Sequence, residues 1–167
     1  AIHDEVSRAM LETSADPVDQ IRTFMTAYVC VHARYPLMTT IAHSDLHALT
    51  EDSLATVIAI RKQTVDLLKS IIDRGSAMGV FHCEQPWLVV AAFAGMAVRT
   101  AAWYRPPGTP RTTLIDDYPA EVHRSLIPDD FTLDEVASTF ADYAVAIVMG
   151  VTPQATPPSP FGGRSHG

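Results

Sequence analysis

The stretch AGMAVRTAAWYRPPG, residues 94–108, decides how this chain reads. A nearly continuous apolar segment carries one cation, Arg99, and stops at Trp103-Tyr104-Arg105 and two prolines. It reads as a membrane span, as the wall of a ligand pocket, or as a surface for another protein. The longest uninterrupted apolar run, Trp87 to Val98, is well short of the roughly 20 residues that cross a bilayer. The segment is therefore expected to be a buried helix of a soluble protein, with no membrane partner. Pro86 opens it and it runs to about Tyr104. Because it is apolar nearly all round, it must be covered on more than one side.

Outward from that helix, no alternating strand pattern of useful length appears, and helical signals recur. Residues 1–14 form an amphipathic stretch. Asp16-Pro17 pairs an N-cap carboxylate with proline at the first helical position, and Ile21, Phe24, Met25, Tyr28 and His32 follow at helical spacing up to Arg34. Pro36 turns the chain into a short helix of about residues 37–48. Thr50-Glu51-Asp52 caps a long helix with the stripe Leu54, Val57, Ile58, Arg61, Val65, Leu68 and Ile72, ending at Gly75 or Gly79. Residues 105–131 hold five prolines and read as a loop, with a short helix near 120–126. Thr132-Leu133-Asp134-Glu135 is a capping box that opens the last helix, whose stripe continues to Val151. The expected fold is all-α, six helices and no sheet, in one domain over residues 15–151. Residues 152–167 read as a flexible Pro/Gly-rich tail.

Bulk properties narrow the function. The chain has 167 residues, 47% of them hydrophobic and 19% charged, enough for one core. A net charge of −7 argues against a nucleic-acid surface, which needs a Lys/Arg excess. Two cysteines, Cys30 and Cys83, make no disulfide framework, and no cleavable leader pattern opens the chain, so a cytoplasmic location is expected.

Arg61 lies in an apolar stripe and Arg99 stands alone in an apolar helix. Such guanidiniums suit a ligand carboxylate or phosphate, because they offer a planar fork of donors. Equally, each can pair with an internal carboxylate (Asp45, Asp66 or Asp142) or extend to water. His43 and His47 are spaced i, i+4, and His32 continues the stripe of the preceding helix. Together they offer a zinc or nickel site as an alternative reading, although H-x-x-x-H lacks the intervening Glu of the metalloprotease motif. Histidines hydrogen-bonded inside a helical core are the plainer account. Tyr28, Tyr35, Met38, Phe93, Met96 and Trp103 supply surface of the kind that lines small-molecule cavities or simply fills a core. No nucleophile motif and no glycine-rich phosphate loop is present, so neither catalysis nor a cofactor is expected.

The last two helices hold more apolar surface, rich in Ala and Gly, than a small bundle covers by itself. A symmetric dimer would bury it, with Ala91, Ala94, Val98, Phe140, Ala144, Ile147 and Val148 at the interface.

Taken in order, DPVDQIRTFMTAYV, SDLHALTEDSLATVIAIRKQTVDLLKSII, DRGSAMGVF, AAFAGMAVRTAAWYRPPG and FTLDEVASTFADYAVAIVMG resemble the ligand-binding half of a TetR-family (tetracycline-repressor-like) transcriptional regulator. The resemblance is nearest the fatty-acid and sterol-catabolism repressors. It implies a homodimer built through the last two helices and a pocket for a small hydrophobic or acyl-CoA-like effector. It also implies operator DNA held by an N-terminal helix-turn-helix domain that these residues do not include, with residues 1–14 as the end of the connecting helix. The cavity-directed candidates are then Tyr28, His32, His43, His47, Arg61, Met96, Arg99 and Trp103. Two features depart from the family: Pro107 stands where relatives commonly carry an acidic residue, and residues 109–131 lengthen a usually short connection. That extension, with Tyr118, His123 and Arg124, is placed to cover the pocket mouth or the dimer.

Overall fold

The structure, a computed structural model, describes residues 2–44, 46, 49–106 and 131–150. The short helix expected at 120–126, the extension, His47 and the tail lie outside the described residues. Within them are six helices and no strand: α1 (Ile2–Leu11), α2 (Pro17–Arg34), α3 (Pro36–Ser44), α4 (Glu51–Ala77), α5 (Pro86–Trp103) and α6 (Leu133–Val148).

The start signals act as their chemistry requires. The Asp16 carboxylate accepts from the Val18 and Asp19 amides at 2.7 and 3.3 Å, and Pro17 occupies the first turn. Thr50 caps α4 through the Ser53 amide. At α6 the box closes both ways: the Thr132 amide donates to Glu135 Oε2 at 2.8 Å and the Glu135 amide donates to Thr132 Oγ1 at 3.3 Å. These bonds favour the ionised Glu135 carboxyl and lower its pKa. Asp16→Ala is expected to cost about 1 kcal/mol in urea unfolding; no change would mean that α2 starts by packing alone.

Of the two expected ends of α4, Gly75 and Gly79, the structure uses Gly79, which takes a left-handed φ of 71°. Gly75 answers a packing need instead: a Cβ there would lie 2.1 Å from Cδ2 of Phe81, a ring that is itself buried. Gly75→Ala is thus expected to destabilise, since overpacking of about 1–3 kcal/mol exceeds the ~1 kcal/mol gained in helix propensity. A rise in Tm would contradict this. α3 is described as Pro36–Ser44, with residues 45, 47 and 48 of its expected end outside the described residues, and the Arg61 guanidinium donates to the Ala42 carbonyl in its last turn.

α2 is the central helix, packed against α1, α4, α5 and most extensively α6. It buries Ile21, Phe24, Met25 and Val29 completely. α6 answers with a small-residue face, Ala137, Ala141, Ala144 and Val148, which lets the two axes approach closely. Ala144 and Val148 are 0% exposed. Both were expected at a partner surface, and the structure places them in this chain's own core.

α5 and α6 run antiparallel: Tyr104 at the end of α5 lies beside Leu133 at the start of α6, and the His82 amide donates to the Val148 carbonyl at 2.8 Å. The Cys83 thiol reaches the same carbonyl at 3.5 Å, and a Cβ on Gly150 would lie 2.9 Å from His82 Cβ. By length and composition α5 is long enough and apolar enough to cross a membrane, although here it is a bundle helix packed on α2, α3, α4 and α6. Only 33% of it is buried, less than its apolar circumference led one to expect. Trp87 at 68% and Leu88 at 63% exposure stand on its open side with Ala91 and Gly95, and Tyr143 and Ile147 are exposed on α6.

Candidate ligand cavity

α2 carries Phe24, Tyr28 and His32 one turn apart on one face, and the three form an aromatic ladder leading outward from the core. Ring centroids lie 5.4 Å apart for Phe24–Tyr28 and 4.6 Å for Tyr28–His32, and His43 of α3 continues the series at 5.8 Å from His32. Beside the ladder lies a cavity of about 310 Å³, at the small end of ligand pockets. Its walls come from α1 (Ile2), α2 (Tyr28, His32), α3 (Met38, Ala42, His43), α4 (Val57, Ile60, Arg61, Thr64, Val65) and α5 (Ala94). Met38, His43 and Ile60 are exposed, which puts the mouth between α3 and the first half of α4.

The walls are apolar apart from a few groups. His32 is 0% exposed and its Nδ1 meets Thr39 Oγ1 at 2.8 Å, tying α3 to α2. Burial, and secondarily His43, lowers the His32 pKa to about 4. Partial desolvation at the cavity mouth, then Arg61, lowers that of His43, and burial raises the Tyr28 phenol. At neutral pH the two imidazoles and the phenol are therefore uncharged, and Arg61 is the formal charge in the wall. Its guanidinium serves the Ala42 carbonyl, while Arg61 Nε and His32 Nε2 are buried with no hydrogen-bond partner. Of the carboxylates considered for the arginines, Asp66 pairs with Lys62 at 2.5 Å, Asp142 pairs with Arg22, and Asp45 lies outside the described residues.

Four of the eight expected cavity residues, Tyr28, His32, His43 and Arg61, come together here. Met96 is half-buried against the core and outside the wall. Arg99 is exposed, because α5 turns that side outward. Trp103 packs on Phe140 of α6 at 6.4 Å, on the side of α5 away from the cavity. Ala94, expected at the dimer surface, lines the cavity instead.

Sequence reasoning passed over Ile2, Ala42, Ile60 and Thr64 as wall residues. Thr64 was within reach, standing three residues from Arg61 on the same helical face. Ile2 carried no comparable signal. As for metal, the described residues contain no group of three His, Cys, Asp or Glu side chains that could hold an ion. A second cavity, between α1 and α2, is larger at about 580 Å³ but is lined by charges of both signs, among them Glu5, Arg8, Glu12 and Arg22. That lining suits water better than a small apolar ligand.

Comparisons with known proteins agree with this architecture. The family model described as "Tetracyclin repressor-like, C-terminal domain" matches residues 14–126. A bacterial regulatory protein of the TetR family from Rhodococcus RHA1 has a similar fold: TM-score 0.64, 19% identity, over 88% of this chain and 68% of that one. PfmR, a TetR family transcriptional regulator from Thermus thermophilus, gives 0.64 and 24% over 91% and 69%. AibR, solved with isovaleryl coenzyme A and operator DNA, gives 0.55 and 19% over 89% and 72%. No curated protein matches the chain. With the matched segment taking in α2 to α5, which supply every wall residue of the cavity except Ile2, the chain belongs to the tetracyclin repressor-like C-terminal domain family.

Proposed function

We propose that the α1–α5 cavity is the effector site and that the chain works as a cytoplasmic, non-enzymatic homodimer. A small hydrophobic or acyl-CoA-like ligand there alters operator binding by a helix-turn-helix domain N-terminal to α1, most often by releasing a repressor. The observation that carries the reading is the cavity's composition: apolar walls from five helices around two buried nitrogens without partners, one wall residue, Ile2, lying on α1. A ligand preferring one disposition of these helices shifts the equilibrium by its difference in affinity for the two states. The AibR complex supports acyl thioesters as a ligand class, and a 310 Å³ cavity suits the acyl part of such a molecule. Isothermal titration with isovaleryl coenzyme A and with simple fatty acids tests the site. Saturable binding that is lost in Tyr28→Ala supports it, and heat unchanged by that substitution argues against it.

The dimer reading rests on the open apolar side of α5 next to Tyr143 and Ile147 of α6. Sedimentation at micromolar concentration is expected to show a dimer, with Trp87→Glu weakening association by about 30-fold or more, as for a central interface aromatic. A wild-type monomer would sink it. The metal alternative is tested by elemental analysis: stoichiometric zinc or nickel that disappears in His43→Ala would replace the effector reading.

A further inference from the structure

We propose that the cavity selects its ligand through a free carboxylate, seated between His32 Nε2 and Arg61 Nε; this rests on the cavity being the effector site. The first element is the tautomer of His32. Four helical threonines, Thr40, Thr56, Thr64 and Thr100, return their hydroxyl to the carbonyl four residues back. Thr39 does not; among the described residues its one side-chain hydrogen bond is to His32 Nδ1 at 2.8 Å. Thr39 is 1% exposed, so its hydroxyl proton has nowhere else to go. If Nδ1 carried the ring proton, that hydroxyl proton would be left buried and unpaired, at the usual desolvation cost. The arrangement that pairs the groups has Thr39 donating to Nδ1, which puts the imidazole proton on Nε2.

Nε2–H is then a donor without an acceptor in a fully buried ring that forms part of the cavity wall. Arg61 Nε–H is a second, and the same guanidinium is already fixed from the other side by the Ala42 carbonyl. Two donors without acceptors on residues of one wall call for a ligand atom that only accepts. Tyr28 and His43, the other titratable groups in the wall, are uncharged at neutral pH, and among the described residues no carboxylate pairs with Arg61. The wall residues therefore carry one positive charge without a paired carboxylate and two N–H groups without acceptors. A carboxylate supplies both the charge and the oxygens, while the apolar walls take a short hydrocarbon chain. A ligand amine would meet only repulsion and donors.

Calorimetric titration of the whole chain with octanoate, methyl octanoate and octylamine separates the possibilities. Octanoate is expected to bind at least about tenfold more tightly than the ester, the worth of a charge-assisted hydrogen bond, and the amine least. Arg61→Met should remove the preference for octanoate while leaving the ester within about twofold. Equal binding of acid and ester overturns the carboxylate seat and leaves the effector cavity standing; binding of none of the three overturns the seat, and overturns the effector cavity too when isovaleryl coenzyme A also gives no heat. Nitrogen-15 NMR of the ligand-free wild type gives a test that needs no variant: His32 is expected as the Nε2–H tautomer, and an Nδ1–H tautomer overturns the assignment.

Discussion

Phe24→Ala is expected to lower the unfolding free energy by about 3–5 kcal/mol, the range for a fully enclosed aromatic. Phe24 is 0% exposed on α2, the helix against which α1, α4, α5 and α6 all pack, so no single neighbour can move to fill the space. Against a total of roughly 5–15 kcal/mol for an ordinary domain, that is a large share. The substitution also removes the inner rung of the ladder, which holds the Tyr28 ring at 5.4 Å. Ligand affinity should therefore fall along with the urea midpoint. A loss below about 1 kcal/mol, with the m-value unchanged, would show that α2 does not sit at the centre of the bundle.

Acidification should weaken the fold through His32. Free histidine titrates near 6.5, whereas this ring, desolvated by burial and set beside His43, does so at about 4. Between those values the unfolded chain binds a proton that the folded chain refuses, so stability falls as pH falls. The contribution is complete above pH 6.5 and is lost by about pH 4, amounting to about 3 kcal/mol for His32 alone. The lowered pKa of His43 acts in the same direction. Urea unfolding at a series of pH values across this window should show the slope in the wild type and a much shallower one in His32→Phe. Parallel slopes would mean that His32 is hydrated in the folded protein.

Helix starts were legible because they depend on neighbours in sequence. Asp16-Pro17, Thr50 and the Thr132–Glu135 box each use donors and acceptors within one turn, and each forms as read. The cavity was legible in half. Tyr28, His32 and Arg61 stood on inward stripes, and helical spacing alone points them toward a common interior. Arg99, Met96 and Trp103 show where that reasoning ends. α5 is apolar nearly all round, so periodicity gives no facing, and the orientation comes from packing on α2, α3, α4 and α6. The same ambiguity misplaced Ala94, Ala144 and Val148. A small apolar side chain suits a core, a cavity wall and a partner surface alike, and only tertiary contacts decide among them. Thr39 was invisible for another reason: its importance lies in one hydrogen bond to a residue seven positions away on a different helix.

The clasp of His82 and Cys83 on the Val148 carbonyl bears on how α4 and α6 move relative to each other. α4 is a single 27-residue rod, roughly 40 Å long, with Arg61 and Thr64 near its middle and its far end leading through Gly79 straight into that clasp. A tilt of the rod about its middle thus pulls on the terminus of α6 in the opposite sense, like the two arms of a balance beam.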